Sequence, residues 1–432
     1  MYALFTAIPL IGHLNPLLRQ AEELRRRGWR VAIASPSEMR NHVVSEAPDL
    51  PFVDLGSLGA IADSLRRDQE AASIDPRFSR GTVRIVQGLM AVWPLMFDGL
   101  TKAVSQDRPD VMVVDLFSIA GLAVAEASRI PVVVNNADLL ASVPVTMLPP
   151  ADWTPFLFSG RSIRDVPWYQ RLTGPFVRRF AALLIACTFD RQQNILLRSR
   201  KLPSASFHDL LRDKPILVNG VFGLEYRRPL PALFEMVGPM LPASVPNLTA
   251  ELSQWLSDGP PVVYANLGTL AVAPEGQLAK MAEAFDTDKF RVLWVLKQSA
   301  RLRTQPQENV RVLDWGPTPL SVLLHPNVKV YVSHCGINSA HESMYSGTPI
   351  VGIPMFADQR DMAARIADAG AGLWLDKMRF SAADLRGAIE RVLEDASFAR
   401  NICEVQAAIS QSGGVQRAAD IIEKTITHYL IA

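Results

Sequence analysis

The chain has 432 residues, too many for one ordinary hydrophobic core, and its 49% apolar and 20% charged content excludes extensive disorder. Its 44 basic and 43 acidic residues leave a formal net charge of +1, without the basic excess that marks nucleic-acid binding. Three scattered cysteines (Cys187, Cys335 and Cys403) give neither a disulfide framework nor a zinc signature, and suit a reducing compartment.

Tyr2 to Pro9 reads as a buried strand and Asn15 to Arg27 as a helix, with Leu17, Leu18, Ala21 and Leu24 on one face. Gly28 ends that helix and Trp29 to Ala34 reads as the next strand. Met1 leads into an apolar run without a basic flank, so no targeting segment is expected. No stretch reads as long and apolar enough to span a bilayer, and a cytoplasmic protein is the expectation. Further strands are read at Val111 to Asp115, Ile130 to Asn135 and Ile216 to Asn219. Strands alternating with helices imply a parallel sheet covered on both faces.

Residues 225 to 260 hold six prolines, with Pro261 adjoining; they break any helix and read as a linker. The α/β rhythm then resumes with strands at Val262 to Asn266, Val292 to Lys297, Val310 to Leu313, Val328 to Ser333 and Pro349 to Pro354. The expected architecture is two doubly wound, Rossmann-like domains facing across a cleft. An acceptor-side domain spans 1–228, the linker and start of the C-terminal domain 229–260 and the main C-terminal domain 261–412, with a C-terminal helix over 413–432 packing back on the first. Ligands in such sheets sit beyond the carboxyl ends of the strands, so polar residues just after strand-like runs are the candidates.

In the second half, the run Val330 to Ser339 ends a strand in a polar, glycine-containing turn that opens a helix. Helix N-termini present free N–H groups and a positive dipole end, a setting that binds phosphate. Gly336 permits close backbone approach, Asn338 and Ser339 either cap the helix or bind the anion, and His334 is a further donor. Glu342 lies one turn on, where a ribose diol would sit beside the phosphates. The plain alternative is an ordinary N-cap with an incidental histidine. Trp315 follows another strand and is available to stack on a base, although core filling explains most tryptophans. Asp358 and Gln359 follow the strand ending at Pro354 and can pair with sugar hydroxyls. Gly268 and Thr269 follow Val262 to Asn266.

From Trp315 to Gln359 the sequence WGPTPLSVLLHPNVKVYVSHCGINSAHESMYSGTPIVGIPMFADQ resembles the donor signature of the UDP-dependent family 1 glycosyltransferases. The resemblance implies the GT-B fold, with the donor held mainly by the C-terminal domain. It assigns Trp315 to the uracil, Glu342 to the ribose, and His334, Asn338, Ser339 and Thr269 to the diphosphate. Asp358 and Gln359 fall to the transferred sugar. Thr318 stands where the family commonly has glutamine, Met362 where asparagine is frequent, and the stretch to His325 is one residue longer. A carboxylate on a 2′-hydroxyl favours ribose, hence UDP over dTDP.

In the first half, His13 follows the first strand at the start of a helix, whose N-terminus is expected to keep the imidazole neutral and basic. Asp115, ending Val111 to Val114, is the candidate carboxylate to orient it. The resemblance extends here, since Gly-His near the start and an Asp about a hundred residues on match the family's catalytic dyad. Aromatics and arginines interleave over 153 to 201: Trp153, Phe156, Phe158, Trp168, Tyr169, Phe176 and Phe180 with Arg161, Arg164, Arg171, Arg178 and Arg179. They read as an acceptor wall, joined by Trp93 and Phe97, or as ordinary packing; contact with a membrane is a lesser alternative. Asp286-Thr-Asp288 has a metal-binding spelling but falls between a helix and the start of a strand, the wrong edge for the site.

The expectation is an inverting, metal-independent hexosyltransferase that moves a sugar, glucose by default, from a UDP-sugar to a small apolar hydroxylated acceptor such as a secondary metabolite. No cofactor is expected beyond the donor substrate, and no nucleic acid. The rivals are a GT-B transferase of lipid-linked acceptors, a sugar-nucleotide epimerase or hydrolase, and a silent nucleotide-binding partner.

Overall fold

The computed structural model describes residues 1–75, 78–144, 147–149, 155, 157–268, 273–297, 302 and 307–431. Two all-parallel sheets organise them. In the first, β1 (Tyr2–Thr6), β2 (Arg30–Ser35), β3 (Phe52–Asp54), β4 (Val111–Asp115), β5 (Val132–Asn136), β6 (Ile216–Val218) and β7 (Phe234–Met236) run in the order β3-β2-β1-β4-β5-β6-β7. The second holds β8 (Val262–Asn266), β9 (Arg291–Val295), β10 (Val310–Leu313), β11 (Val328–Ser333), β12 (Ile350–Gly352) and β13 (Gly372–Trp374), ordered β10-β9-β8-β11-β12-β13. β1, β4 and β5 are buried along their whole length, as strands covered on both faces must be.

Helices clothe both sheets. Leu17, Leu18, Ala21 and Leu24 of helix Ile11–Arg26 are fully buried against β1, the face expected from their spacing. The helix begins four residues earlier than its periodicity suggests, with Pro16 tolerated in its second turn. Within the proline-rich stretch, Phe234–Met236 pairs with β6, and Ala250–Ser257 is a helix capped by the Thr249 hydroxyl. The last helix, Gly414–Ile431, returns to the first sheet. Its Ala418, Ala419, Ile422 and Ile426 pack with Leu14, Leu17 and Leu18, and Arg27 pairs with Asp420 and Glu423 at 2.7 Å each.

Two expectations are corrected. Val83–Gln106, within helix Phe78–Gln106, is long and apolar enough to cross a membrane by length and composition. Its apolar character has a local reason, because Val92, Trp93, Met96, Phe97, Leu100 and Val104 fill the core of the first sheet. Trp93 and Phe97, expected on the acceptor wall, are therefore core residues; Trp93 meets Phe189 edge-to-face at 5.1 Å.

The carboxyl ends of the strands carry the polar residues. Thr6, Ser35, Asp115, Asn135 and Asn136 end strands of the first sheet and are buried, as is Ser333 ending β11. The two edges meet across a cleft, where Asn338 Nδ2 donates to the Gly12 carbonyl at 3.0 Å.

Candidate active site

β1 and β4 are neighbours, pairing Thr6 with Val114, so the loop after β1 and the end of β4 lie side by side. That adjacency brings His13, in the first turn of its helix, onto Asp115: Nδ1 donates to Oδ1 at 2.8 Å. Phe117 braces the ring edge-to-face at 5.7 Å. Asp115 is fully buried while His13 keeps some exposure, and Nε2 is the ring nitrogen that Asp115 does not engage. Asp115 Oδ2, Thr6 Oγ1 and Ser118 Oγ are buried without a hydrogen-bond partner among the described residues.

The carboxylates around His13 act against the neutral state expected from its place at the helix N-terminus. Burial does work against its protonation, but the charge and hydrogen bond of Asp115, with Asp138 and Asp358 adding to the field, raise its pKa to about 9. Nearby carboxylates outweigh a helix end for a buried imidazole.

On the opposite side, Gly336 is the N-cap of helix Ile337–Ser346 and makes no side-chain cap. Asn338 and Ser339 are thus first-turn residues, and neither serves as the cap. His334 lies between two glycines. A Cβ at Gly268 would stand 2.7 Å from its Cε1, and one at Gly336 2.5 Å from its Nε2. His334 Nδ1 is buried without a hydrogen-bond partner among the described residues, and burial lowers the ring's pKa to about 4, so the imidazole is neutral. Cys335, next to it, holds a left-handed φ of 62°, and Ala357, just before Asp358, one of 53°. Non-glycine residues keep such conformations where surroundings enforce them, often at ligand sites.

Glu342 lies one turn further along the same helix, Ile337–Ser346. Burial raises its carboxyl to about 7, with Arg19 lowering it and Glu46 raising it. Trp315 is 76% exposed just beyond β10, a tryptophan face open to a ligand. Asp358 holds the N-cap position of helix Gln359–Asp368 without capping it, and Gln359 Oε1 accepts from Met355 N (2.8 Å) and Phe356 N (3.1 Å), shaping the loop between them. Burial pushes Asp358 well above the usual carboxylate range, as does the charge of Asp138. Asp138 was missed from sequence; it stands two residues beyond β5, on the same strand-end logic that found Asp115.

Thr269, Trp153 and Phe156 lie outside the described residues, as do the side chains of Arg171, Arg178 and Arg179. Trp168, Tyr169, Phe176 and Phe180 are exposed on helix Trp168–Ser199. Asp286 and Asp288 sit before β9, at the amino edge of the sheet and away from this cleft.

Two Rossmann-like sheets with their polar strand ends opposed across a cleft define the GT-B class of glycosyltransferase. Residues 95–410 match the family model described as UDP-glucoronosyl and UDP-glucosyl transferase, and the chain belongs to that family. It is 26% identical to the UDP-glycosyltransferase stmC of Aspergillus ustus, across 80% of this chain and 71% of that protein. It is also 26% identical to the demethyllactenocin mycarosyltransferase of Streptomyces fradiae, across 97% of this chain and 85% of that protein. Among solved structures, the glycotransferase of kitacinnamycin superposes with a TM-score of 0.73 at 20% identity, covering 98% of this chain and 99% of that one. The glycosyltransferase VinC in complex with DTDP gives 0.67 at 20%, covering 99% and 100%. The protein is a glycosyltransferase that moves a sugar from a nucleotide sugar to an acceptor.

Proposed function

We propose that the protein is an inverting, metal-independent transferase that moves glucose from UDP-glucose to a hydroxyl of a small, largely apolar natural product. The observation that carries this reading is the juxtaposition of His13, paired with Asp115, and the helix opening at Gly336, whose Asn338 touches the residue before His13.

His13 Nε2 takes the acceptor hydroxyl proton as that oxygen attacks the anomeric carbon. The anomeric C–O bond to UDP breaks on the opposite face, and its electron pair goes to the departing diphosphate. Asp115 holds the imidazole by Nδ1 and stabilises the imidazolium. The first-turn N–H groups of helix Ile337–Ser346, with His334, Asn338, Ser339 and Thr269, meet the charge that grows on the diphosphate, which is where preorganised donors matter most. Trp315 stacks on uracil, Glu342 holds the ribose diol, and Asp358 and Gln359 orient the sugar. In-line displacement of an α-linked donor gives a β-glycoside.

UDP is favoured over dTDP because deoxyribose leaves Glu342 without one of its hydroxyl partners. VinC is described in complex with DTDP, so the choice needs measurement. Names such as mycarosyltransferase among the relatives support a natural-product acceptor. The exposed Trp168, Phe176 and Phe180 support, as a second reading, a lipid-linked acceptor, which liposome sedimentation tests. Calorimetric titration in chelator with UDP, dTDP and NAD tests the donor site. Tight UDP, weaker dTDP and no NAD binding are expected; absence of UDP binding to folded protein without metal overturns the assignment.

A further inference from the structure

Helix Gln359–Asp368 starts at the proposed sugar-binding pair and ends on the other half of the molecule. Asp361 is 2% exposed, and its carboxylate accepts from two backbone N–H groups of the loop that precedes helix Trp168–Ser199: Phe158 N, and Gly160 N at 2.6 Å. Phe158 and Gly160 have left-handed φ of 63° and 61°. Alternation of this kind turns successive N–H groups inward and makes a concave anion seat. A bulky residue such as Phe158 holds that conformation only when its surroundings compensate.

Two turns on, Asp368 continues the attachment. It accepts from Ser162 Oγ (2.5 Å), Ile163 N (3.1 Å) and Tyr226 Oη (2.6 Å). Between them Arg365 lies over the Tyr226 ring at 4.5 Å and pairs at 3.3 Å with Glu225, whose other oxygen accepts from Leu140 N at 2.7 Å. Leu140 follows Asp138 by two residues, close to the His13 cluster. One helix therefore ties the loop 158–164 and the turn at Leu140 to Asp358 and Gln359. The loop leads within a few residues to Trp168 and Tyr169, at the head of the exposed aromatic helix.

We propose that Asp361, seated in the Phe158–Gly160 N–H nest, is a positioning residue that sets the acceptor loop in register with the donor sugar; this rests on the reading of Asp358 and Gln359 as sugar ligands. It touches neither substrate. Its effect is to fix where the acceptor hydroxyl stands relative to the anomeric carbon, and small misplacements of that kind cost rate steeply. A misplaced acceptor also leaves space for water, so donor hydrolysis rises against transfer.

The test compares wild type, Asp361→Ala, Asp361→Asn and Gly160→Ala. The last perturbs the nest from the loop side, because a Cβ there would meet Arg360 Cβ and Nε at 2.8 Å on a left-handed backbone. Loss of a buried, charge-assisted hydrogen bond corresponds to about tenfold or more. Asp361→Ala and Gly160→Ala are expected to raise the acceptor KM by about that factor and to increase the share of donor lost to water. UDP affinity by calorimetry stays within about twofold, and the 157–164 amides exchange faster with deuterium. Asp361→Asn, which retains one acceptor oxygen, falls between. Unchanged acceptor KM and hydrolysis share in the folded variants overturn the proposal, as does a loss of UDP affinity equal to the loss of acceptor affinity. A wild type that binds no UDP defeats the donor-site reading instead, and the seat is then judged on amide exchange alone.

Discussion

At the scale of single residues, the proposed role of the His13–Asp115 pair makes a definite claim about pH behaviour. The imidazole must be neutral to accept a proton, yet the carboxylates around it raise its pKa to about 9. kcat/KM is therefore expected to climb through neutral pH and level off near 9, because this parameter reports ionisations of the free enzyme. Asp115→Asn should move that inflection to lower pH while reducing the plateau. The same shift has a stability consequence. His13 is raised above its ordinary 6.5, so its contribution is fully present below pH 6.5 and is lost as pH rises through 9. Urea unfolding of wild type and Asp115→Asn should differ by more at pH 6 than at pH 10, because the stabilising charge pair is lost as His13 deprotonates. Gly268 offers a separate check on the donor side. With φ at 80° and His334 against it, Gly268→Ala forces the imidazole out of place and should weaken UDP binding about tenfold or more by calorimetry, with little change in secondary structure.

At the scale of elements, legibility in the sequence follows length and locality. β4, β8, β10 and β11 were read to the residue, since each is a continuous apolar run bounded by turn-forming residues. β3, β7 and β13 have three residues each, as do β6 and β12; the last two lie in apolar runs between turn-forming residues and are legible, whereas β7 is embedded among prolines. Strand-end polar residues such as His13, Asp115 and His334 were legible because a doubly wound sheet assigns function to that edge. Asp361 and its nest were not, because their partners lie about 200 residues apart and a left-handed φ at Phe158 has no signature in composition. The C-terminal helix was expected to return to the first domain, and the structure shows what anchors it. Ile422 is fully buried against Leu14 and Leu18, so Ile422→Ala should cost about 3 kcal/mol in urea unfolding while leaving UDP affinity unchanged.

At the scale of the whole molecule, the cleft is a meeting of two sheets whose polar edges serve different halves of one reaction. On the proposed reading, the first supplies a base set among carboxylates, and the second supplies N–H groups and a neutral histidine for a diphosphate. The contact between Asn338 and Gly12 ties the two edges together beside His13. Lys377 adds a second tie, donating at 2.9 Å to the Ala72 and Ser73 carbonyls at the end of helix Ala60–Ile74 and also to the Met355 carbonyl in the donor loop. The measurement that bears most directly on this account is UDP release from UDP-glucose in chelator, with a panel of hydroxylated aromatic and macrocyclic acceptors, by wild type and His13→Ala. The account predicts β-glycoside formation by wild type, a fall of about 10²–10⁴-fold in His13→Ala, and UDP affinity retained by both. Turnover by His13→Ala at the wild-type rate would contradict it.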